Sequence, residues 1–338
     1  MNWGKEPLNM NLALIICTLK RPKALLQLLH SVEKQTCYPA QVVVVDASED
    51  LRTQVVCMEN KFKNLTYFQV NKDHRGLTKQ RNFGVSKIDE NIEIVAFLDD
   101  DIELKTDYFE KILEVYARFP EALGVGGYIA NEVVWTKGYA PNADFFEYDG
   151  YYRKEGSRFL LRKKLGLAPD RPPAHLPDFS HGRSVSFLPP SGKVYEVEQF
   201  MGGVASYRKS VFDQMHFSTY FEGYGLYEDA DFTLRLSNIG KLYVHTGARV
   251  AHHHDASGRP DAFKYGKMVV RNGWYVWRVK FPKPSLKARL KWNVTSFLLT
   301  LVRYGNVFTT SKKKEALQEA LGRTVGWFSL LMVPKMKS

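Results

Sequence analysis

The stretch EIVAFLDDDIEL, residues 93–104, decides the predicted fold. Its apolar run IVAFL has the length of a strand that is buried on both faces, and three carboxylates, Asp99, Asp100 and Asp101, follow it directly. Alternate residues of an extended segment point the same way, so we expect Asp99 and Asp101 to share a ligand while Asp100 turns aside. In an open α/β sheet the ligand crevice lies at the carboxyl ends of the strands, which is where this triplet falls.

Adjacent carboxylates at the edge of a sheet repel one another and lose hydration together, and a hard cation among them would offset that cost. The triplet alone is equally compatible with a solvated acidic turn. What the rest of the chain brings to the same edge decides between the two interpretations.

Strands and helices alternate on either side of this stretch. Buried strands are predicted at LALIIC (12–17), QVVVV (41–45), YFQV (67–70) and LGVGGY (123–128). Helices are predicted after the first and third of these strands and after the acidic triplet, where TDYFEKILEVYARF (106–119) is amphipathic. This alternation is typical of a mostly parallel sheet covered by helices on both faces.

Length and composition favour a folded cytosolic protein. At 338 residues, with 44% hydrophobic and 13% aromatic residues, the chain can bury a large core. Cys17, Cys37 and Cys57 show no CxxC spacing and are predicted to be reduced thiols. The N-terminal segment lacks the pattern of a signal peptide, and no apolar stretch approaches the roughly 20 residues that span a bilayer.

The net charge of +12 is concentrated towards the C-terminus. Residues 259–338 hold 17 Lys or Arg against 3 Asp or Glu, and the remainder of the chain is close to neutral. A nucleic-acid-binding protein more often carries a basic stripe on its main domain, so nucleic acid is not an expected partner. A basic, aromatic-rich tail suits the anionic inner face of a membrane.

The tail is also predicted to be helical and amphipathic. Such a helix either packs on the domain or lies in a membrane interface, and the nearby Lys, Arg, Trp292 and Trp327 are compatible with both arrangements. The apolar residues at helical spacing are Leu286, Leu290, Val294, Phe297, Leu298 and Leu301.

Polar residues that follow the other early strands are further candidates for a site. Asp46 ends the second strand, and Arg81 and Asn82 stand early in a helix that Thr78 is expected to cap, where cations and N–H groups face an anion. A turn carboxylate and a solvated helix face are the alternatives.

Glu228, Asp229 and Asp231 open a later predicted helix. Acidic residues in a first helical turn ordinarily complement the helix dipole, but the glycines at 223 and 225 would let a ligand approach closely.

Three consecutive histidines, His252, His253 and His254, follow a predicted strand over 241–244. A lone histidine is more often structural. Because this chain already offers an Asp cluster, at least one of the three is expected to be a metal ligand.

Taken in order, these segments resemble the inverting family 2 glycosyltransferases of the GT-A fold, of the bacterial surface-polysaccharide type. The matching segments run in the family's order over residues 12–254, with the irregular, Pro-, Gly- and aromatic-rich residues 131–199 where acceptor-binding segments fall. The resemblance implies an α/β fold, Rossmann-like with a mostly parallel sheet flanked by helices, over residues 10–258, and a basic helical extension over 259–338. The segments are CTLKRPKALLQLLHSVEKQ, VVVVDAS, GLTKQRNFGV, FLDDDIEL, GYGLYEDADFTLRL and RVAHHH.

The resemblance implies roles for the donor-side residues. Asp46 would contact the nucleotide base, and Arg81 or Asn82 the base or the diphosphate. Asp99 would meet the ribose, with Asp100 beside it in the donor site.

It also implies the catalytic and metal-binding residues. Asp101 and His252, with His254 in reserve, would hold Mn²⁺ or Mg²⁺, and Asp229 would be the general base that deprotonates the acceptor hydroxyl. Glu228 and Asp231 would position the acceptor or support Asp229.

The implied reaction moves a sugar from a UDP-, dTDP- or GDP-linked donor to a saccharide or lipid-linked saccharide with inversion, in the cytoplasm and peripherally on the inner face of the cell membrane. A sugar nucleotidyltransferase is one alternative, but it would be expected to carry a Gly-rich phosphate loop where this chain reads CTLKRPK. A metal-dependent hydrolase built on HHHD would leave Asp46 and the acidic helix unused. A non-enzymatic membrane-binding protein would explain only the tail.

Overall fold

The computed structural model describes residues 10–179, 181–221, 224–253 and 261–331. The chain divides into two compact units. The first unit comprises Met1–Trp135 and Ser184–Ala256, and the second comprises Thr136–Arg183 and Ser257–Ser338.

The described strands and helices are numbered in chain order. The strands are β1 (Leu12–Thr18), β2 (Gln41–Asp46), β3 (Leu65–Gln69), β4 (Ile94–Asp99), β5 (Ile102–Leu104), β6 (Ala122–Ile129), β7 (Thr136–Lys137), β8 (Phe145–Tyr148), β9 (Tyr151–Lys154), β10 (Val194–Val197), β11 (Val204–Arg208) and β12 (Lys241–His252). The α-helices are α1 (Pro22–Glu33), α2 (Arg52–Asn60), α3 (Leu77–Val85), α4 (Tyr108–Arg118), α5 (Ser157–Lys164), α6 (Glu228–Leu236), α7 (Ala262–Lys280), α8 (Leu286–Thr309) and α9 (Lys313–Ser329).

One mixed sheet forms the core of the first unit, with strand order β10-β12-β6-β11-β4-β1-β2-β3 and β5 paired to β12. Strands β1 to β4 pair in parallel, as does β6 with β12. Every residue from Ile94 to Leu98 is buried, and each such apolar side chain contributes about 1.5–3 kcal/mol, which holds β4 inside the sheet. The predicted α/β fold is confirmed, and the sheet is mixed, because β10 and β5 pair with β12, and β11 pairs with β6 and β4, in antiparallel fashion.

The register of the strands brings their polar ends to one edge. Asp99 pairs with Cys17, and Asp46 pairs with Thr18, so β1, β2 and β4 end at the same level. The antiparallel strand β11 starts there, because Val204 pairs with Leu98.

Strand β12 reaches farther than the predicted strand over 241–244. It continues to His252, which pairs with Ile102 of the short strand β5. This pairing carries the first of the three histidines to the acidic triplet.

Two local expectations differ from the structure. Thr78 lies buried inside α3, whose N-cap is Gly76 with a φ of 112°, so the prediction that Thr78 caps this helix is wrong. Helix α2 is the helix that the βα alternation requires after the second strand, but its bounds are not predicted, because only Thr53 and Cys57 of its nine residues are buried and the apolar periodicity is weak.

The second unit contains a three-stranded antiparallel sheet, β7-β9-β8, and helices α5 and α7 to α9. Trp277 and Trp292 stack in its core with ring centroids 5.8 Å apart, and Trp277 Nε1 donates a hydrogen bond to the Asp178 carbonyl. Trp292 is therefore a core residue and not an interfacial one. Among the helices that are described, none combines the length and the hydropathy of a membrane span.

Candidate active site

Asp99 and Asp101 come together after β4 as expected, although β4 ends at Asp99 and the next two residues form a turn. Asp99, Asp101 and His252 each offer a ligand atom, and these three atoms all lie within 4.8 Å of one another. Asp100 instead turns towards the first βα turn, where Arg21 Nη1 lies 3.0 Å from Asp100 Oδ1 and also 3.5 Å from Asp101 Oδ2. Two carboxylates and one imidazole are a donor set that suits a hard divalent cation such as Mn²⁺ or Mg²⁺, so the residues present fit the implied metal.

Asp100 is bonded to the first βα turn. Its Oδ2 accepts a hydrogen bond from Thr18 Oγ1 at 2.6 Å, and its Oδ1 accepts one from Arg21 Nη1 at 3.0 Å. Burial raises the pKa of this carboxyl to about 6 despite these donors. Asp100 therefore links the end of β4 to the turn after β1 by hydrogen bonds. Its predicted contact with the donor stays a prediction.

His252 lies between two carboxylates. Its Nε2 is 3.1 Å from Asp101 Oδ1, and its Nδ1 is 3.1 Å from Glu132 Oε1. These hydrogen bonds, first to Asp101 and then to Glu132, raise the pKa of His252 to about 10. Asn131 holds the backbone of His252 through hydrogen bonds of 2.9 and 3.0 Å, so the turn after β6 fixes both the ring and the main chain.

His253 and His254 follow His252 in the chain. The His253 ring is half exposed and pairs with Glu103 at 3.1 Å, away from the cluster of Asp99, Asp101 and His252. The reserve metal ligand, His254, lies outside the described residues, as does Gly223.

A buried ion pair stands beside Asp99. The Arg81 guanidinium is 2.5 Å from Glu228 Oε1 and 3.6 Å from Asp99 Oδ1, and it lies over the rings of Phe97 and Phe217. Burial raises the pKa of Glu228 to about 8, while Arg81 acts in the opposite direction. Arg81 thus joins the acidic start of α6 to the end of β4.

Gly202 and Gly203 form the close contact between these groups. A Cβ at Gly203 would lie 2.2 Å from Asp99 Oδ2, and one at Gly202 would lie 2.6 Å from both Arg81 Nη1 and Glu228 Oε1. No larger residue fits at either position without moving a charged side chain.

Asp229 contacts the same dipeptide. Its Oδ2 accepts a hydrogen bond from the Gly202 amide at 3.3 Å, and its Oδ1 accepts one from the Ala230 amide at 2.8 Å. Burial raises the pKa of Asp229, which keeps the carboxylate more basic than an exposed one. The carboxylates at 99 and 229, far apart in the sequence, therefore meet at Gly202 and Gly203.

Three other predicted residues are bonded within the protein. Asp46 is fully buried and accepts hydrogen bonds from the Ser48 amide and from Tyr67 Oη, each at 2.8 Å. Asn82 exchanges two hydrogen bonds with the Phe217 backbone. Asp231 pairs with Arg235 at 2.7 Å. Their predicted contacts with donor or acceptor stay predictions.

Sequence reasoning missed Glu132, Gly202 and Gly203. The first follows a strand end, which is a signal that could have been used. The glycines precede an antiparallel strand, and nothing in their own sequence separates them from glycines of an ordinary turn.

Comparison with known proteins supplies an independent line of evidence. Residues 13–171 match the family model described as glycosyl transferase family 2. A glucosyl-dolichyl phosphate glucuronosyltransferase of Haloferax volcanii is 26% identical over 148 residues, which cover 42% of this chain and 44% of the relative. The match therefore spans less than half of that relative's length.

The fold has a counterpart among solved structures. The crystal structure of S. aureus TarS 1-349 superposes with a TM-score of 0.51 at 16% identity, covering 95% of this chain and 80% of that one. At this identity the likeness concerns the fold alone.

Proposed function

Because residues 13–171 match the model of glycosyl transferase family 2 and the fold resembles that of TarS 1-349, we propose that the chain is a glycosyltransferase of the GT-A fold that moves a sugar from a nucleoside-diphosphate donor to a saccharide or lipid-linked saccharide hydroxyl with inversion. The observation that carries this proposal is the meeting of two groups at Gly202 and Gly203. Asp229 accepts a hydrogen bond from the Gly202 amide. Asp99, one of three potential metal ligands, packs so closely against Gly203 that a Cβ there would collide with it.

In the proposed site Asp101 and His252 would hold Mn²⁺ or Mg²⁺, and Asp99, whose carboxylate lies in the same cluster, would meet the donor ribose and could also reach the ion. A divalent ion bound there supplies positive charge for the diphosphate that leaves the sugar. Asp101 is buried, and its Oδ1 lies 3.1 Å from His252 Nε2, so these two side chains are already placed side by side.

Asp229 is proposed as the general base. Its carboxylate removes the proton from the acceptor hydroxyl while the hydroxyl oxygen attacks the anomeric carbon, and the bond to the diphosphate breaks on the other side. One such displacement inverts the anomeric configuration. Glu228 acts as a positioning residue, since its pair with Arg81 holds the first turn of α6 beside Asp99.

Asp46, Arg81, Asn82 and Asp100 are proposed to shape the donor site, for a UDP-, dTDP- or GDP-linked sugar. Their bonds to Ser48, Glu228, Phe217 and Thr18 support a role in ordering the loops at the carboxyl edge of the sheet. Asp231, paired with Arg235, would stiffen the helix that carries Asp229.

The test replaces Asp229 by Asn and measures release of nucleoside diphosphate from UDP-, dTDP- and GDP-sugars with Mn²⁺ and candidate saccharide acceptors. The amide cannot take the proton, so transfer should fall by about 10²–10⁴-fold while donor binding, measured by calorimetry, is retained. As the raised pKa of Asp229 requires, wild-type activity should fall on acidification at a pH above that of an ordinary aspartate.

Asp213→Asn is the matched control, because Asp213 is an exposed carboxylate in the same unit. It should transfer like the wild type. Turnover of Asp229→Asn within a few-fold of the wild type would exclude Asp229 as the base.

We also propose that the chain works peripherally on the anionic inner face of the cell membrane in bacterial surface-polysaccharide synthesis. The surplus of Lys and Arg over residues 259–338 supports this part of the proposal.

A further inference from the structure

Two helices of the second unit leave an apolar stripe in water. On α8 the stripe residues are between 43% and 86% exposed, and on α9 between 42% and 80%. The α8 stripe is formed by Leu286, Leu290, Val294, Phe297, Leu301 and Phe308, and the α9 stripe by Leu317, Leu321, Val325 and Phe328, continued by Leu331. Single exposed apolar residues are ordinary, but rows at helical spacing on adjacent helices mark an interaction surface.

The two helices pack against each other in opposite directions. Trp327 Nε1 donates a hydrogen bond to Asn293 Oδ1 at 2.9 Å near the start of α8, whereas Arg303, ten residues on, pairs with Glu319. As residue numbers rise along α8, those of the partners on α9 fall. The pair is therefore antiparallel.

The two stripes lie on the same side of this pair. Each residue is rotated by about 100° around the helix axis from the one before it. On both helices, the centre of the stripe is rotated by roughly a quarter turn from the side that faces the other helix, in the direction of increasing residue number. When two antiparallel helices are rotated by the same amount in this direction, both stripes point to the same side of the pair. The stripes thus form one continuous face, which we call the α8–α9 face.

The charge around the face identifies its occupant. Residues 261–331 contain 14 Lys or Arg against 3 Asp or Glu, and one of these acids, Glu319, is buried between Arg303 and Arg323. Lys287 lies beside the α8 stripe, and Lys312, Lys313 and Lys314 form an exposed basic cluster at the start of α9. A second copy would bring the same positive charge, whereas an anionic lipid surface complements it.

We propose that the α8–α9 face binds the surface of an anionic bilayer, with its Leu, Val and Phe side chains inserted at the level of the headgroups and its lysines over the lipid phosphates. This inference rests on the membrane contact of the proposed function but not on its transfer chemistry. It assigns that contact to one side of two helices, both of which lie parallel to the membrane.

The test uses the full chain and flotation with vesicles of phosphatidylcholine, with and without phosphatidylglycerol. Wild-type protein should bind only the anionic vesicles, and more weakly at high salt. The triple variant Leu290→Ser, Phe297→Ser, Phe328→Ser should lose at least about tenfold in vesicle affinity, because three side chains of the face no longer bury apolar surface in the bilayer.

The matched control is Met58→Ser, Val134→Ser, Tyr139→Ser, which removes three large hydrophobic side chains, each more than half exposed, from other parts of the chain. It should bind vesicles like the wild type. Asp229→Asn should also bind normally, so a failure of the proposed chemistry is separable from a failure of this inference.

Three outcomes would overturn the inference. The triple variant could float with anionic vesicles as well as the wild type, or the wild type could ignore them. Alternatively, light scattering could show a dimer that the triple variant abolishes without any change in vesicle binding, which would assign the face to a second copy.

Discussion

Glu132 fixes the direction in which the His252 ring points. Because Nδ1 is bonded to Glu132 Oε1 at 3.1 Å, the ring presents Nε2 to Asp101 and to the proposed cation. A carboxylate behind a metal-ligating histidine sets its tautomer and raises its basicity, and its loss typically costs about 10–100-fold in metal affinity.

Replacing Glu132 by Ala is therefore expected to weaken Mn²⁺ binding by about tenfold or more, as measured by calorimetric or paramagnetic titration. Glu103→Ala is the matched control. Glu103 makes the same kind of pair with His253, but both side chains are at least half exposed, so its removal should leave the Mn²⁺ affinity unchanged. Equal affinities in both variants would show that Glu132 does not support a metal ligand.

The grouping of Asp99 with Asp101 was predictable from the sequence, but its geometric cause was not. The two carboxylates cluster with His252 while Asp100 bonds to Thr18, and this arrangement arises in a turn after β4 and not in an extended segment. The partners of these residues were not predictable in the same way. Glu132, Gly202 and Gly203 reach the site only because β11 and β12 return to the edge where β4 ends, and pairing between distant strands leaves no local pattern.

At the scale of elements, glycines set the distance between α7 and α9. A Cβ at Gly322 would lie 2.0 Å from the Phe263 carbonyl oxygen, and one at Gly266 would lie 2.1 Å from the Glu319 carbonyl oxygen. Both obstacles are backbone atoms of the facing helix, so a larger residue forces the helices apart.

Gly322→Ala is expected to lower the free energy of unfolding by about 1–3 kcal/mol in urea titrations, because overpacking outweighs the helix propensity that alanine gains. Gly305→Ala is the control. Gly305 lies in α8 with nothing within 4 Å of its Cβ position, so alanine there should stabilise the chain by up to about 1 kcal/mol. A stabilising Gly322→Ala would mean that α7 and α9 do not pack this closely.

Hydrophobic runs predicted the elements best where burial is greatest. Strands β1, β2 and β4 have continuous apolar runs and appear within one residue of their expected bounds. The end of β12 was missed because residues 245–252, HTGARVAH, mix polar and small residues with apolar ones, and the strand is held there by β5 and Asn131. Likewise, the spacing of the α8 stripe predicted a helix but not the direction in which its apolar side points.

At the scale of the molecule, the distribution of charge was easier to predict from the sequence than the division of the chain into two units. The concentration of Lys and Arg after residue 258 follows from counting. The grouping of residues 136–183 with the C-terminal helices does not, because it depends on side chains such as Trp277 that reach across more than ninety residues to a backbone carbonyl.

The free energy of unfolding should depend on pH through the buried His245. His245 in β12 is buried, and its Nδ1 accepts a hydrogen bond from the Gly247 amide at 3.0 Å, so a proton on that nitrogen would break the bond. Burial, helped by Lys111 and Arg118 against Asp107, lowers the pKa of His245 to about 4. An unfolded chain takes up this proton near pH 6.5.

Between pH 6.5 and 4 the unfolded state therefore binds more protons at this position than the folded state, and acidification costs the first unit up to about 3 kcal/mol. His245→Gln retains an acceptor but cannot be protonated. Its free energy of unfolding should therefore fall less than that of the wild type between pH 6.5 and 4, and the two proteins should show the same pH dependence above pH 6.5. Glu228, whose raised pKa gives the opposite slope between pH 4.5 and 8, is present in both proteins and cancels in the difference. Hydrogen exchange at the β12 amides, followed from pH 7 to pH 4.5, measures the effect in the first unit. Parallel curves for the two proteins would mean that His245 accepts a proton without unfolding the strand.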